Sequence, residues 1–469
     1  MSTQGIRDFR PEVHYTAEKG WINDPNGLTY VDGTYHLFAQ YYPEPRKGPK
    51  HWSHAVSQDL LHWQHLPVAL APDELGAMFS GSAVVDRENA SGFGAGGKAP
   101  MVLMYTAHGE HEQQCIAYST DYVHFTKYAG NPVIPNTEIR NFRDPKVFPN
   151  PIRGGWSMAL AAHDRVHFYA SQDLRHWEKT GEFGPEGNFM EGVWECPDLF
   201  PLTVGGTEKW VLLVSMTRRT EEGPRTQYFT GSFDGDTFRC DTPYEPTKLL
   251  DQGYDDYAGV TFSHTPSRIF MGWATYPRYA EDTPTGEYCC TMTLPRRLSL
   301  ADTPKGGLRL AAMPAVWAYE SAPQEGLALS RELFCVKARG EGPATLRLEN
   351  GRGQHLDFGV NEAGEVFLDR SQAGAVDFNP DFGAPRFSQL AASRFYEGAW
   401  ELELHFDHSI SELYADGGTL TFTQLVYPDE PYTRASVAEG SAQVEVHRAF
   451  LNGKKCEIRR EGSALLLKG

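Results

Sequence analysis

The sequence predicts an all-β protein, a β-propeller followed by a β-sandwich, on three observations. The composition is rich in turn formers and aromatics, with 46 Gly, 31 Pro and 12% aromatic residues in 469, and long amphipathic runs of helical period are few. A short segment recurs four times at intervals near 60 residues. Beyond about Met313 the pattern changes to short alternating strands separated by Gly and Asp turns.

The repeat carries the propeller. AVSQDLLHW ends at Trp63, AYSTDYVHF at Phe125, YASQDLRHW at Trp177 and TGSFDGDTF at Phe238. In each, Ser is followed two residues later by Asp and six residues later by Trp or Phe. The serines are Ser57, Ser119, Ser171 and Ser232, separated by 62, 52 and 61 residues. An alternating or β-branched run precedes each one, so Ser-x-Asp reads as the turn that closes a hairpin, with the Asp oxygens accepting from nearby amides. One four-stranded sheet cannot bury both faces alone, and a period of this length with several strands per unit fits propeller blades. Thr261–Trp273 is expected to begin the closing unit. The propeller is expected to run over residues 1–316, a loop-like linker over 317–326 and the sandwich over 327–469.

The acidic residues fall in phase with the repeat. Asp24 in Trp-Ile-Asn-Asp-Pro-Asn-Gly (21–27) lies 33 residues before Ser57. Asp144 in Phe-Arg-Asp-Pro (142–145) lies 27 before Ser171, and Glu195 in Trp-Glu-Cys-Pro-Asp (194–198) lies 37 before Ser232. In the second repeat Phe79-Ser80-Gly81 holds the matching place. Each carboxylate stands just before a proline, which removes a backbone donor and favours an extended-to-turn transition. All four positions therefore sit on or near the innermost strand of a blade, where residues from separate blades converge on one mouth of the channel. Facing carboxylates in a cleft suit glycosidic bond cleavage, one attacking and the other serving as acid and then base. Trp194 and Cys196 flank Glu195 and can favour its protonated form. Trp21, Trp52, Phe79 and Trp273 are candidates to pack on a sugar, or else core residues.

Charge and cysteine content exclude other classes. The formal net charge of −18 argues against nucleic acid or an anionic membrane as partner, and no run approaches the roughly 18 apolar residues of a membrane span. The seven cysteines (115, 196, 240, 289, 290, 335, 456) show no CxxC, which fits reduced thiols. The first twenty residues contain no apolar h-region. The expected setting is the cytoplasm.

These motifs together resemble glycoside hydrolase family 32, the β-fructofuranosidases that include invertases, sucrose-6-phosphate hydrolases, levanases and exo-inulinases. The resemblance rests on WINDPNG (21–27), YHLFAQ (35–40), HWSHAVSQDLLHW (51–63), FSGSAV (79–84), FRDPKVF (142–148), VWECPDLF (193–200), GW (272–273), TLPRRL (293–298) and FDHSISELYADGG (406–418). It implies a five-bladed propeller with a C-terminal sandwich, Asp24 as nucleophile, Glu195 as general acid/base and Asp144 as a binder of fructose hydroxyls. It places Asn23, Gln40, Phe79, Ser80, Arg143 and Trp273 around the fructose. It implies retention of configuration, a sucrose or short fructo-oligosaccharide substrate, and no metal or cofactor.

One segment departs from the family pattern. Where a Trp-Gly-Pro-Met-His-Trp-Gly-His-like run is usual, this chain has Lys47-Gly48-Pro49-Lys50-His51-Trp52-Ser53-His54. Ala39 also replaces a common Tyr. Arg46, Lys47 and Lys50 form a basic island that is either a solvated loop or a contact for a sugar phosphate. The paired HxxH spacings (His51/His54, His62/His65, His108/His111) project to opposite faces of a strand and argue against a shared metal. Cys289 and Cys290, adjacent in a strand, are expected to point apart and remain thiols. Alternatives to the β-fructofuranosidase reading are a sucrose-6-phosphate hydrolase, an exo-levanase or inulinase, a transfructosylase, and a non-catalytic sugar-binding propeller.

Overall fold

The computed structural model describes residues 7–185, 192–217, 223–243, 245–320, 322–324, 326–449, 457–461 and 464–468, the last two stretches as strands alone. Cys456 and positions 321 and 325 of the expected linker lie outside the described residues. Two compact units emerge, one of residues 20–249 and 257–273, the other of residues 1–19, 250–256 and 274–469.

The first unit is built from antiparallel meanders. Its sheets are β1 (Gly20–Val31), β2 (Thr34–Tyr42), β3 (His51–Ser57) and β4 (Gln64–Leu70), then β5 (Ala77–Val85), β6 (Met101–His108), β7 (Glu112–Ser119) and β8 (Thr126–Lys127). Next come β9 (Phe142–Pro149), β10 (Trp156–Ala162), β11 (Val166–Ser171) and β12 (Glu178–Phe183), then β13 (Val193–Val204), β14 (Thr207–Thr217), β15 (Arg225–Phe233) and β16 (Phe238–Cys240). A further antiparallel pair is β17 (Tyr257–Thr261) and β18 (Ile269–Trp273), so the closing element begins four residues earlier than Thr261. Among the described residues, the first strands β1, β5, β9, β13 and β17 adjoin one another in a closed ring. That is the propeller axis.

Burial explains why the sheets stack. Val31, Phe38 and Trp52 of the first sheet pack with Leu103, Tyr105 and Ala117 of the second. Val102 and Ile116 pack with Val147, Met158 and Leu160 of the third, and Phe168 with Trp194, Trp210 and Phe229 of the fourth. Each such side chain taken from water contributes about 1.5–3 kcal/mol, so no sheet is stable without its neighbours.

The Ser-x-Asp segments form the turn that the spacing predicts. Ser57, Ser119 and Ser171 accept from the amides of Leu60, Tyr122 and Leu174 at 2.8–2.9 Å. Asp59, Asp121 and Asp173 each accept two further amides and a histidine Nδ1 at position +3. Leu60, Tyr122 and Leu174 all adopt φ of 62–67°. In the fourth copy a glycine, Gly235 (φ 96°), takes that left-handed place, and Asp234 alone supplies the acceptor, to Asp236 and Thr237.

The second unit contains two five-stranded sheets facing across one core. One comprises Leu333–Gly340, Trp400–Asp407, Ile410–Ala415, Leu420–Leu425 and Gln443–Arg448; the other comprises Ala344–Glu349, His355–Val360, Glu365–Gln372, Gln389–Ser393 and Arg434–Gly440. Phe334, Val336, Leu404 and Leu413 meet Leu346, Phe358 and Leu368 between them. This is the expected sandwich.

Residues 250–256 and 274–316 fall in this second compact unit, and buried charge ties them to the sandwich strands. Arg296, fully buried, bonds Asp251 (2.9 Å), Asp256 (3.0 Å), Glu412 (3.2 Å) and Thr423 (2.6 Å). His14 bridges Asp407 (2.8 Å) and Glu412 (3.3 Å), and the acceptors Asp407 and Glu412 outweigh its burial and hold its imidazole at about 9. The TLPRRL and FDHSISELYADGG motifs thus meet through Arg296 and Glu412. Cys289 and Cys290, against expectation, bring their sulfurs to 3.6 Å, because Cys290 turns to φ 75°. Neither forms a disulfide.

Candidate active site

Every first strand of the propeller loses its regular register where its polar residues sit. The slip falls between Ile22 and Pro25 in β1, between Met78 and Gly81 in β5 and opposite Ala159/Ala161 at Arg143–Lys146 in β9. In β13 it falls between Glu195 and Asp198, and in β17 between Tyr257 and Val260. An extra residue breaks the alternation and re-aims its side chain. The sequence supplies the means: Asp-Pro and Cys-Pro steps lack an amide donor, and Ser-Gly and Ala-Gly steps lack bulk. Asp144, Cys196 and Ala258 occupy equivalent places with φ of 66°, 46° and 54°, a backbone state costing of order 1–3 kcal/mol each. Their amides are caught by Thr106 Oγ1 (3.0 Å), Asp144 Oδ2 (2.9 Å) and Ser215 Oγ (3.0 Å) respectively.

Asp24 is held from three sides. Ser80 Oγ donates to Oδ2 at 2.5 Å, Gln40 Nε2 to the same oxygen at 3.3 Å, and Asn23 Nδ2 to Oδ1 at 3.0 Å. Gln40 is itself fixed by Asn23 (2.7 Å) and Ser80 (2.5 Å), and Asn23 Oδ1 accepts from Trp21 Nε1 at 2.7 Å. Trp21 meets Trp273 edge to face at 5.8 Å. Asn23, Gln40, Ser80 and Trp273 are thus drawn into one assembly around Asp24.

Glu195 takes the register place of Arg143 and Tyr257, and the three join. Arg143 Nη2 donates to Glu195 Oε1 at 2.8 Å, and the Tyr257 hydroxyl donates to Oε2. The other Arg143 nitrogen bonds Glu112 (2.8 Å) and Asn141 (2.9 Å). Asp144 joins Asp24 through a cysteine: Cys196 Sγ stands 3.7 Å from both Asp24 Oδ2 and Asp144 Oδ2. Burial, reinforced by Glu195 and Asp24 and opposed by Arg143 and the Cys196 amide, pushes the Asp144 carboxyl up to about 8. Burial and the same carboxylates hold the Cys196 thiol far above its usual range. Deeper in the ring, Asp198 accepts from Thr261 N (2.6 Å) and Lys146 Nζ lies 3.1 Å away, tying β9, β13 and β17 together.

The Asp144 shift has a measurable sign. Its folded value, about 8, lies above the ordinary 3.8, so the folded state retains this proton and its stabilising share is full below pH 4 and lost as pH rises through 8. Asp144→Asn keeps the left-handed backbone tolerable and removes the ionisation. Its stability relative to wild type is therefore expected to improve between pH 4 and 8, by up to about 5 kcal/mol, in urea melts across that range. A difference independent of pH would contradict the assignment.

Several residues outside the expected set belong to the site. Tyr257, Thr106 and Glu112 carried no sequence signal by themselves; aligning Tyr257-Ala258-Gly259 with Arg143-Asp144-Pro145 would have located the first. Trp52 is fully buried, with its Nε1 on the Phe79 carbonyl, and serves as core. Within the basic island, Lys50 reaches the site, its Nζ 4.8 Å from the Trp21 ring centre, whereas Lys47 is exposed on the loop between β2 and β3. The HxxH histidines go separate ways: His54 pairs with His36 (3.0 Å), His62 with Asp59, and His108 with Glu112.

Comparison with known proteins identifies the arrangement. The glycosyl hydrolases family 32 N-terminal domain matches residues 14–312, and the family 32 C-terminal domain matches residues 322–450. The levanase of Bacillus subtilis (strain 168) is 40% identical over 457 residues, covering 90% of this chain and 67% of that protein. The extracellular exo-inulinase of Aspergillus awamori is 32% identical over 505 residues and 94% of both chains. A crystal structure of exo-inulinase from the same organism superposes with a TM-score of 0.86 at 29% identity, over 95% of this chain and 99% of that one. A fructofuranosidase from Schwanniomyces occidentalis complexed with fructosylnystose gives 0.84 at 27% identity, over 93% and 97%. With both domain matches and the carboxylate-lined propeller mouth in agreement, the chain belongs to glycoside hydrolase family 32, the β-fructofuranosidase family.

Proposed function

We propose that this chain is a retaining, exo-acting β-fructofuranosidase that hydrolyses terminal β-D-fructofuranosyl residues of sucrose and short fructo-oligosaccharides. The observation that carries the reading is the convergence of Asp24, Asp144 and Glu195 from three separate inner strands, bridged by Cys196. Asp24 attacks the anomeric C2 as the bond from C2 to the leaving oxygen breaks, and Glu195 gives its proton to that oxygen. The fructosyl–Asp24 ester is then opened by water, with Glu195 taking the water proton. Asn23, Gln40 and Ser80 hold Asp24 in line for attack, while Arg143 and Tyr257 hold Glu195. Asp144 bonds fructose hydroxyls, and positive charge developing on the ring favours its ionised form over the protonated one that burial favours.

The relatives named levanase and exo-inulinase make β-linked fructans the competing substrates. Lys50 over Trp21, with Arg46 and Lys47 nearby in sequence, favours a second reading in which a sugar phosphate is accepted. A panel of sucrose, sucrose-6-phosphate, kestose, inulin and levan tests both. Higher kcat/KM on sucrose and kestose than on the polymers is expected. A large preference for sucrose-6-phosphate that Lys50→Met abolishes would establish the second reading instead, and absence of fructose release from every substrate would refute the proposal. A cytoplasmic setting is our reading of the free thiols among the described residues.

A further inference from the structure

We propose that His108, stacked on Phe79, forms the platform for the neutral sugar unit that leaves, with Nε2 as hydrogen-bond partner for one of its hydroxyls. This rests on the β-fructofuranosidase reading and concerns the part of the substrate beyond the scissile bond.

The Phe79 and His108 rings lie 4.0 Å apart and within 3° of parallel, making one slab of two rings. One end of the slab joins the nucleophile's surroundings, because Phe79 is followed by Ser80, whose hydroxyl bonds Asp24. The other end joins the proposed acid/base. His108 Nδ1 lies 3.2 Å from Glu112 Oε1, the same oxygen receives Arg143 Nη1 at 2.8 Å, and Arg143 Nη2 bonds Glu195 at 2.8 Å. Glu195 protonates the leaving oxygen, so the departing unit is delivered on this side of the site.

The strand geometry brings His108 to the surface there. The first seven residues of β6 are buried, and His108, its last, has a side chain 46% exposed. Its backbone is fixed between Ala77 and Glu112, and Gly76 (φ 125°) lies so close that a Cβ there would stand 2.1 Å from the His108 carbonyl oxygen. Glu112 engages Nδ1, which leaves Nε2 as the ring's remaining polar atom. Sugars present one face of C–H groups and an edge of hydroxyls. A stacked aromatic pair with one polar edge matches both, in the way small-molecule sites combine apolar walls with a few placed polar groups. The His-Gly-Glu-His segment (108–111) thereby acquires a role other than metal binding.

The test compares sucrose and kestose, whose leaving units are sugars, with methyl β-D-fructofuranoside, whose leaving group is methanol. His108→Ala is expected to lower kcat/KM on the two sugars about tenfold more than on the methyl glycoside, mainly through KM. His108→Phe, which keeps the stack and loses Nε2, should fall between. Because each variant is judged by a ratio of substrates, the amount of folded enzyme cancels. Equal losses on all three substrates would overturn the proposal and leave His108 as a support for Glu112 and Arg143; no change on any would overturn it as well. Wild-type enzyme inactive on all three would instead sink the β-fructofuranosidase reading.

Discussion

Asp24→Asn is expected to lower kcat on sucrose by about 10⁴-fold or more, because it removes the carboxylate proposed to form the covalent intermediate. The fold should survive. Asparagine fills the same volume, and the Ser80 hydroxyl, which now donates at 2.5 Å, can rotate to accept. Glu195→Gln should cost about 10²–10⁴-fold, the usual worth of a placed acid or base. The two variants separate on an aryl β-fructofuranoside, whose leaving oxygen needs no proton. Formation of the fructosyl–enzyme should recover in Glu195→Gln, seen as a burst of phenol, and should not recover in Asp24→Asn. Near-normal turnover by Asp24→Asn on sucrose would show that the nucleophile has been assigned to the wrong residue.

The largest expected effect on stability lies in the second unit. Arg296→Met removes the cation that faces Asp251, Asp256 and Glu412 in a site without exposure. Breaking a buried ion pair by deleting one partner costs about 3–5 kcal/mol, because the remaining charges stay desolvated. Here Arg296 serves three carboxylates, so the upper end is expected, read as a lower urea midpoint. Arg296→Lys should recover only part, since an ammonium cannot copy the planar fork that spans Nε, Nη1 and Nη2. A midpoint unchanged in Arg296→Met would mean that the network contributes nothing net.

Much of the site was legible because it is written in short motifs. Asp-Pro, Arg-Asp-Pro and Glu-Cys-Pro stand out from the alternating strands around them, and their common phase against the Ser-x-Asp turns located the inner strands. Tyr257 escaped because its motif has no proline or carboxylate and the fourth-to-fifth interval carries no Ser-x-Asp turn. Thr106 and Glu112 escaped because they act from the second and third strands of their sheet, where nothing in a regular alternation distinguishes a side chain that reaches inward. Phase also misleads at one point. Asp144 and Glu195 look equivalent in sequence, yet Glu195 shares its register with Arg143, and Asp144 with Cys196. The buried charge network was hidden for a different reason: Arg296 and Glu412 lie 116 residues apart, and no local pattern announces that they meet.

The closed ring of first strands has a consequence for how activity can be gained or lost. Asp24, Ser80, Asp144, Glu195 and Tyr257 come from five strands spread over more than half the chain, and no single sheet holds more than one of the three carboxylates. A chain that has assembled four sheets and not the fifth owns no fraction of a catalyst, only scattered polar groups facing water. Turnover is therefore an all-or-none report of closure, and an assay for fructose release doubles as a topological probe. Cutting or lengthening an outer-edge loop is therefore expected to spare the chemistry, provided that the innermost circle still meets end to end.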